Sequence, residues 1–168
     1  MRAKQNKVRL LCISGVVAAI IYIFTAFFHI PSHTGYTHIG DAFVYLAGCL
    51  LPTPYAVAAS AAGGMLADLL GGYAMWMPGT GIIKALTALC FTAKTRTIVN
   101  RRNLWAIVPS FLLCVGGYYL YEVLITGNWI APLGGVPGYC VQVTASATVY
   151  IALGKMLDGA KVKERFFK

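Results

Sequence analysis

What constrains this chain most is where its charges are missing. Counting histidine as neutral, only Asp41, Asp68 and Lys84 are charged between Leu10 and Ala93, and only Glu122 between Asn103 and Gly154. A soluble domain covers its outside with charge, about 25% of its residues on average. Here 11% of 168 residues are charged and 58% are hydrophobic. Stretches of this kind need lipid as their solvent, and in lipid only helices and closed barrels satisfy the backbone.

A spanning helix takes about 20 mainly apolar residues. That window predicts a first span over residues 8–28, ended by the polar, proline-containing stretch 29–37. Residues 10–28 are too long for the apolar core of a typical signal peptide, and no small-residue cleavage site follows, so the segment reads as a helix. A second, short span over 38–51 stops at Pro52-Thr53-Pro54, since proline lacks a donor and disfavours helix in the preceding residue. A third covers 55–70, with a turn from Gly71-Gly72 to Pro78-Gly79. The fourth covers 81–93, the fifth 104–126, ending at Gly127-Asn128, and the sixth 138–157 after a Gly/Pro-rich loop. The expected fold is all-α: one domain over residues 1–168 with six transmembrane helices.

The cations then orient it. Of the 14 Lys and Arg, Arg2, Lys4, Lys7 and Arg9 form one cluster, Lys94, Arg96, Arg101 and Arg102 a second, and Lys155, Lys161, Lys163, Arg165 and Lys168 a third, leaving Lys84 inside a span. With six spans all three clusters fall on one side, and loops 29–37, 71–79 and 127–137 carry none. The positive-inside rule makes that side, with both termini, cytoplasmic. The net charge of +9 is thus a topology signal, and no nucleic-acid partner is expected. Cys12, Cys49, Cys90, Cys114 and Cys140 lie scattered in apolar segments without ligand spacing and read as packing residues.

Asp41, Asp68, Lys84 and Glu122 are expensive inside hydrocarbon and demand a partner, water or a function. On these boundaries all four lie within one or two turns of the outer surface, and Gln142, His38 and Asn128 share their layer. Polar groups from helices two to six at one depth describe a shallow solute pocket, with no polar path through the membrane. The blander alternative pairs Asp68 with Lys84 and lets Asp41 cap its helix. Glu122, following Tyr118, Tyr119 and Tyr121, reads as ligand-facing. Tyr36, Tyr73, Trp76, Trp129 and Tyr139 suit the interfacial aromatic belt, yet also offer stacking faces to a flat ring. His29, His33 and His38 read as part of a lid loop, because Pro31 and Gly35 break any helix that would align them on a metal. No cofactor is expected. No P-loop or nucleophile motif is present, so ATP hydrolysis of that kind is not expected of this chain and any energy must come from elsewhere. Ser14-x-x-x-Ala18 and Gly15-x-x-x-Ala19 give the first helix a small-residue face for close helix approach.

The stretches Gly40-Asp41-Ala42, Val44-Tyr45-Leu46-Ala47-Gly48 and Ala67-Asp68-Leu69-Leu70, with Gly72-Tyr73, Trp76-x-Pro78 and Lys84, resemble the S component of energy-coupling factor (ECF) vitamin transporters. The resemblance implies six helices with cytoplasmic termini in the cell membrane, and a binding subunit that associates, through small residues of its first helices, with a transmembrane coupling protein and two ATPases. Ser14, Gly15, Ala18 and Ala19 match that small-residue face. It further implies a site at the outer side, which maps onto Lys84, Tyr118, Glu122, Asn128 and Gln142, with Tyr36 and His38 from the lid, while Asp41 and Asp68 form a polar network. Members that carry nickel or cobalt begin Met-His; Met1-Arg2 points to an organic substrate. Three acids against one lysine favour a neutral or cationic heterocycle, such as a B6-type pyridine or a thiamine-like pyrimidine, with riboflavin and pantothenate left open. The rival readings are a stand-alone carrier, a membrane enzyme using Asp41, Asp68 and Glu122, and a structural assembly protein.

Overall fold

The computed structural model describes residues 2–31 and 36–166. Met1, residues 32–35 with His33 and Gly35, and residues 167–168 with Lys168 lie outside the described residues.

The chain folds into α1 (Arg2–Ala26), a hairpin of β1 (His29–Pro31) and β2 (Tyr36–His38), α2 (Asp41–Leu50), α3 (Thr53–Leu70), α4 (Met77–Cys90), α5 (Arg101–Trp105), α6 (Ile107–Thr126), a 3₁₀ turn at Ala131–Gly135, α7 (Val136–Gly159) and α8 (Val162–Phe166). Among the described residues, three helical stretches are long and apolar enough to cross a membrane: Lys7–Ala26, Arg101–Thr126 and Ala131–Gly159. α2 and α4 are apolar but shorter. At 1.5 Å per residue, ten-residue α2 spans only about 15 Å. It is also almost wholly buried, packed on α7, α4 and α3, so it is the central pillar of the bundle.

Several boundaries differ from the sequence reading, each for a local reason. His38 belongs to β2 and not to a helix; the hairpin pairs His29 with His38, Ile30 with Thr37 and Pro31 with Tyr36, and Gly40 N–H turns back onto His38 Nδ1 at 3.1 Å. α2 therefore starts at Asp41. Pro78 does not sit in a turn but in the first turn of α4, where its missing N–H is one the helix would leave unpaired anyway. Pro137 does the same for α7. Lys84 thereby becomes the eighth residue of α4, deeper than the fourth place it has in the expected span, and Gln142 the seventh of α7. α4 also stops at Cys90, short of Ala93. The stops expected at Leu51 and at Gly127, the latter with φ +67°, are where they should be.

Opposite the hairpin, residues 91–100 are pinned without regular structure. Asn103, fully buried, donates to Thr92 O and Ile98 O and accepts from Thr92 N. The Asp158 carboxylate accepts from Ile98 N at 2.7 Å and Val99 N at 2.9 Å. Above them Tyr45 stacks on Phe91 (centroids 4.7 Å) and meets Tyr150 edge-on.

The small-residue face of α1 divides in two. Ser14 is buried and donates to Leu10 O, and Ala18 packs on Gly63 of α3; Gly15 and Ala19 face outward. Gly63 is what lets α1 and α3 touch, because a Cβ there would stand 2.6 Å from Ala18 O and 2.8 Å from Ile21 Cβ. A backbone carbonyl cannot swing aside. Gly63→Ala is accordingly expected to cost about 1–3 kcal/mol as overpacking, read as a lower thermal midpoint in detergent. An unchanged midpoint would mean that the two helices are not held this close.

Candidate functional site

The site is assembled where the hairpin meets the ends of α3, α4, α6 and α7. Its floor is ionic. Asp41, the first residue of α2, lies where the helix dipole favours an anion and is 2% exposed. Its Oδ1 accepts from the Lys84 ammonium, itself 1% exposed, and its Oδ2 accepts from Gln142 Nε2 at 2.8 Å. One carboxylate thus ties α2 to α4 and α7. Gly64 makes this geometry affordable in space: a Cβ there would meet Lys84 Cγ at 2.9 Å, so the lysine stem runs across bare backbone of α3. Lys84 also lies 5.6 Å from the centroid of the Tyr118 ring, and that ring stacks on Tyr139 at 5.2 Å and 19°.

A second polar group joins the hairpin to α3. Tyr36 Oη donates to Asp68 Oδ1 at 2.7 Å. Burial, and after it the Asp68 carboxylate, holds the Tyr36 phenol above its ordinary range, so it keeps its proton and donates. Its ring packs beside His29, His38 and Tyr73, with centroids 5.0, 5.7 and 4.9 Å away. Thr37 Oγ1 donates to Gly138 O at 3.3 Å, fastening the other edge of the hairpin to α7. Because His38 Nδ1 accepts from Gly40 N–H, the neutral imidazole carries its proton on Nε2.

Between these groups lies a narrow cleft, open at its mouth, with about 30 Å³ of water-accessible space inside. Aromatic walls come from Tyr36, Tyr73, Trp76, Tyr118 and Tyr139. Polar groups come from Thr25, His38, Asp68, Thr80 and Gln142, with Tyr118 Oη donating to Thr80 Oγ1 at 3.2 Å. Apolar flat faces with a few converging donors and acceptors are the usual make-up of a small-molecule site.

Of the residues singled out from the sequence, Tyr36, His38, Asp68, Tyr118 and Gln142 come together on this cleft, and Asp41 and Lys84 lie directly beneath Gln142 and Tyr118. The alternative pairing of Asp68 with Lys84 is not what forms: Lys84 bonds Asp41, and Asp68 bonds Tyr36. Asp41 is more than a helix cap for the same reason. Glu122 is 4% exposed on α6, one turn beyond Tyr118, and is not among the residues lining the cleft. Asn128 is exposed in the loop after α6, its Oδ1 accepting from Ile130 N and Ala131 N. Thr25 and Thr80 were missed. Thr80 precedes Lys84 by one helical turn, a usable signal; Thr25 stands alone in an apolar helix and offers none. Tyr73, Trp76 and Tyr139, read mainly as belt residues, wall the cleft. Among the described residues, no group of three or more His, Cys, Asp or Glu is placed to hold a metal ion.

No curated protein matches this chain. The family model described as ECF-type riboflavin transporter, S component, matches residues 5–158, from the start of α1 to the end of α7 and including every residue of the cleft. That family is one of membrane transport subunits for vitamin uptake and not of enzymes. The chain belongs to the family of S components of ECF-type riboflavin transporters.

Proposed function

We propose that this protein captures a flat, uncharged heteroaromatic vitamin, riboflavin first among the candidates, in the cleft under the hairpin, and that the cleft opens to the outside of the cell. The observation that carries this reading is the combination of five aromatic walls with a floor whose charges cancel: the Lys84 ammonium is taken by Asp41, so no free cation is offered to a polyanion. The family's description supplies riboflavin as the first candidate. Neither α2 nor α4 reaches across 30 Å alone, but both pack within the bundle, and the three basic clusters all lie away from the hairpin. Six crossings with both termini in the cytoplasm remain the topology that fits that charge distribution.

Transport then needs a motor from other chains: a transmembrane coupling protein and two ATPases, with Gly15 and Ala19 on the outer face of α1 as the side offered to the coupling protein. The cleft leaves room for little more than water as it stands, so entry of a vitamin requires the hairpin to move outward. A second reading has one observation in its favour. Asp68 brings a carboxylate to the wall, which would suit a cationic ring such as a protonated pyridine or a thiamine-like pyrimidine.

The deciding experiment is a thermal-shift and equilibrium-dialysis panel on the purified full chain, with riboflavin, pyridoxine, thiamine and pantothenate. A compound at 100 times its dissociation constant adds about 2.7 kcal/mol to stability. Riboflavin alone is expected to stabilise. A response to pyridoxine or thiamine instead moves the assignment to the cationic reading. Silence from a folded sample against every compound refutes a vitamin site here, and vitamin uptake by cells lacking any coupling protein would make the chain a stand-alone carrier.

A further inference from the structure

Asp68 stands two residues before the end of α3, 4% exposed, in the wall of the cleft. Its two oxygens are treated unequally. Oδ1 accepts from Tyr36 Oη. Oδ2 is buried and closes no hydrogen bond among the described residues. The Thr80 hydroxyl acts on this carboxylate as a hydrogen-bonding neighbour but closes no bond to Oδ2 in this position. It accepts from Tyr118 and keeps its own proton, so among the described residues it is the one internal donor that competes with a ligand for Oδ2. Lys84, the cation nearest in the bundle, is bonded to Asp41. A buried acceptor left without a donor is costly, more so when it belongs to a carboxylate, and natural structures rarely keep one without a use for it.

We propose that Asp68 is a specificity-determining residue of this cleft: Oδ2 accepts a hydrogen bond from an N–H or O–H of the bound ligand, while Tyr36 on the other oxygen holds the carboxylate in place. This rests on reading the cleft as the vitamin site and goes beyond it by stating what the vitamin must present. An analogue that puts a carbonyl or an alkyl group at that point sets acceptor or methyl against acceptor, which a buried polar site rejects far more strongly than a hydrophobic pocket rejects a missing methylene.

The test is a mutant cycle against ligand chemistry, using the full chain in detergent. The probes are riboflavin, riboflavin methylated on its imide nitrogen, and lumiflavin, which lacks the ribityl hydroxyls; the proteins are wild type, Asp68→Asn and Tyr36→Phe, each checked for monodispersity and for its unliganded thermal midpoint. Asp68→Asn is expected to weaken riboflavin binding at least about tenfold. One modified flavin, imide-methylated or ribityl-free, is expected to bind wild type at least about tenfold more weakly than riboflavin, and to lose little further affinity in Asp68→Asn. That non-additivity identifies the donor. Tyr36→Phe is expected to show a smaller loss of the same pattern. Equal losses for all three flavins in Asp68→Asn would show that the residue only supports the fold, and affinity within about twofold of wild type would show that Thr80 satisfies Oδ2; either result overturns the proposal. If wild type binds no flavin but binds another vitamin, the riboflavin assignment has failed separately, and the same cycle with that vitamin and its donor-blocked derivative decides the role of Asp68. If wild type binds nothing, both readings fall.

Discussion

Replacing Lys84 with methionine is expected to cost about 3–5 kcal/mol, because it leaves the Asp41 carboxylate charged, buried and without its cation. The methionine stem fits where the lysine stem runs over Gly64, so the loss isolates the charge from the packing. Removing the second charge as well should recover most of it: Asp41→Asn together with Lys84→Met keeps an acceptor for Gln142 and leaves no buried ion. The check is the thermal midpoint of wild type, both single variants and the double variant in one detergent. A double variant as unstable as Lys84→Met would mean that the ion pair contributes through shape and not through compensation of charge. An unchanged midpoint for Lys84→Met would place the pair outside the forces that hold α2, α4 and α7 together.

The second large effect concerns binding. Trp76 lines the cleft at the start of α4, half-exposed, with Tyr118 and Tyr121 at centroid distances of 6.3 and 6.0 Å. Stacking of a heterocycle on an aromatic side chain is worth about 1–3 kcal/mol by alanine substitution. Trp76→Ala is therefore expected to weaken capture of a flat vitamin by roughly 5- to 150-fold, with a smaller effect on the unliganded protein, since the ring is only partly buried against the Ile83–Tyr118–Tyr139 cluster and its side chain closes no hydrogen bond among the described residues. Equilibrium dialysis of wild type and variant against riboflavin measures the first effect, and the thermal midpoint without ligand the second. Affinity unchanged in a folded Trp76→Ala would remove the ring from the site and return it to the aromatic belt. The same comparison on Glu122→Gln, buried one turn beyond Tyr118 and not among the residues lining the cleft, is expected to give the smaller loss.

Sequence periodicity and charge spacing were enough for the lipid environment, the all-α class, and the stops at Leu51 and Gly127, because each of those is set by local chemistry: apolar run length, proline after a helix end, glycine at positive φ. They were enough, too, to mark Asp41, Asp68, Lys84 and Gln142, since ionisable and amide groups are conspicuous in an apolar chain. The family resemblance carried by Gly40-Asp41-Ala42 and Ala67-Asp68-Leu69-Leu70 was legible for the same reason. What the sequence could not decide was who pairs with whom. Asp41 and Asp68 stand in like settings along the chain, and the choice between them for Lys84 depends on Gly64 letting the lysine stem cross α3 and on α4 beginning at Met77, four residues before its apolar run suggests. Tertiary packing likewise divided the small residues of α1, turning Ser14 and Ala18 inward, Ala18 against Gly63, and leaving Gly15 and Ala19 outside. It moved Tyr73, Trp76 and Tyr139 from belt to cleft wall and left Glu122 and Asn128 off the cleft. Those outcomes depend on contacts between residues up to 101 positions apart, as in the Gln142–Asp41 bond. No local pattern encodes such distances, and only the closed bundle brings them to hydrogen-bonding range.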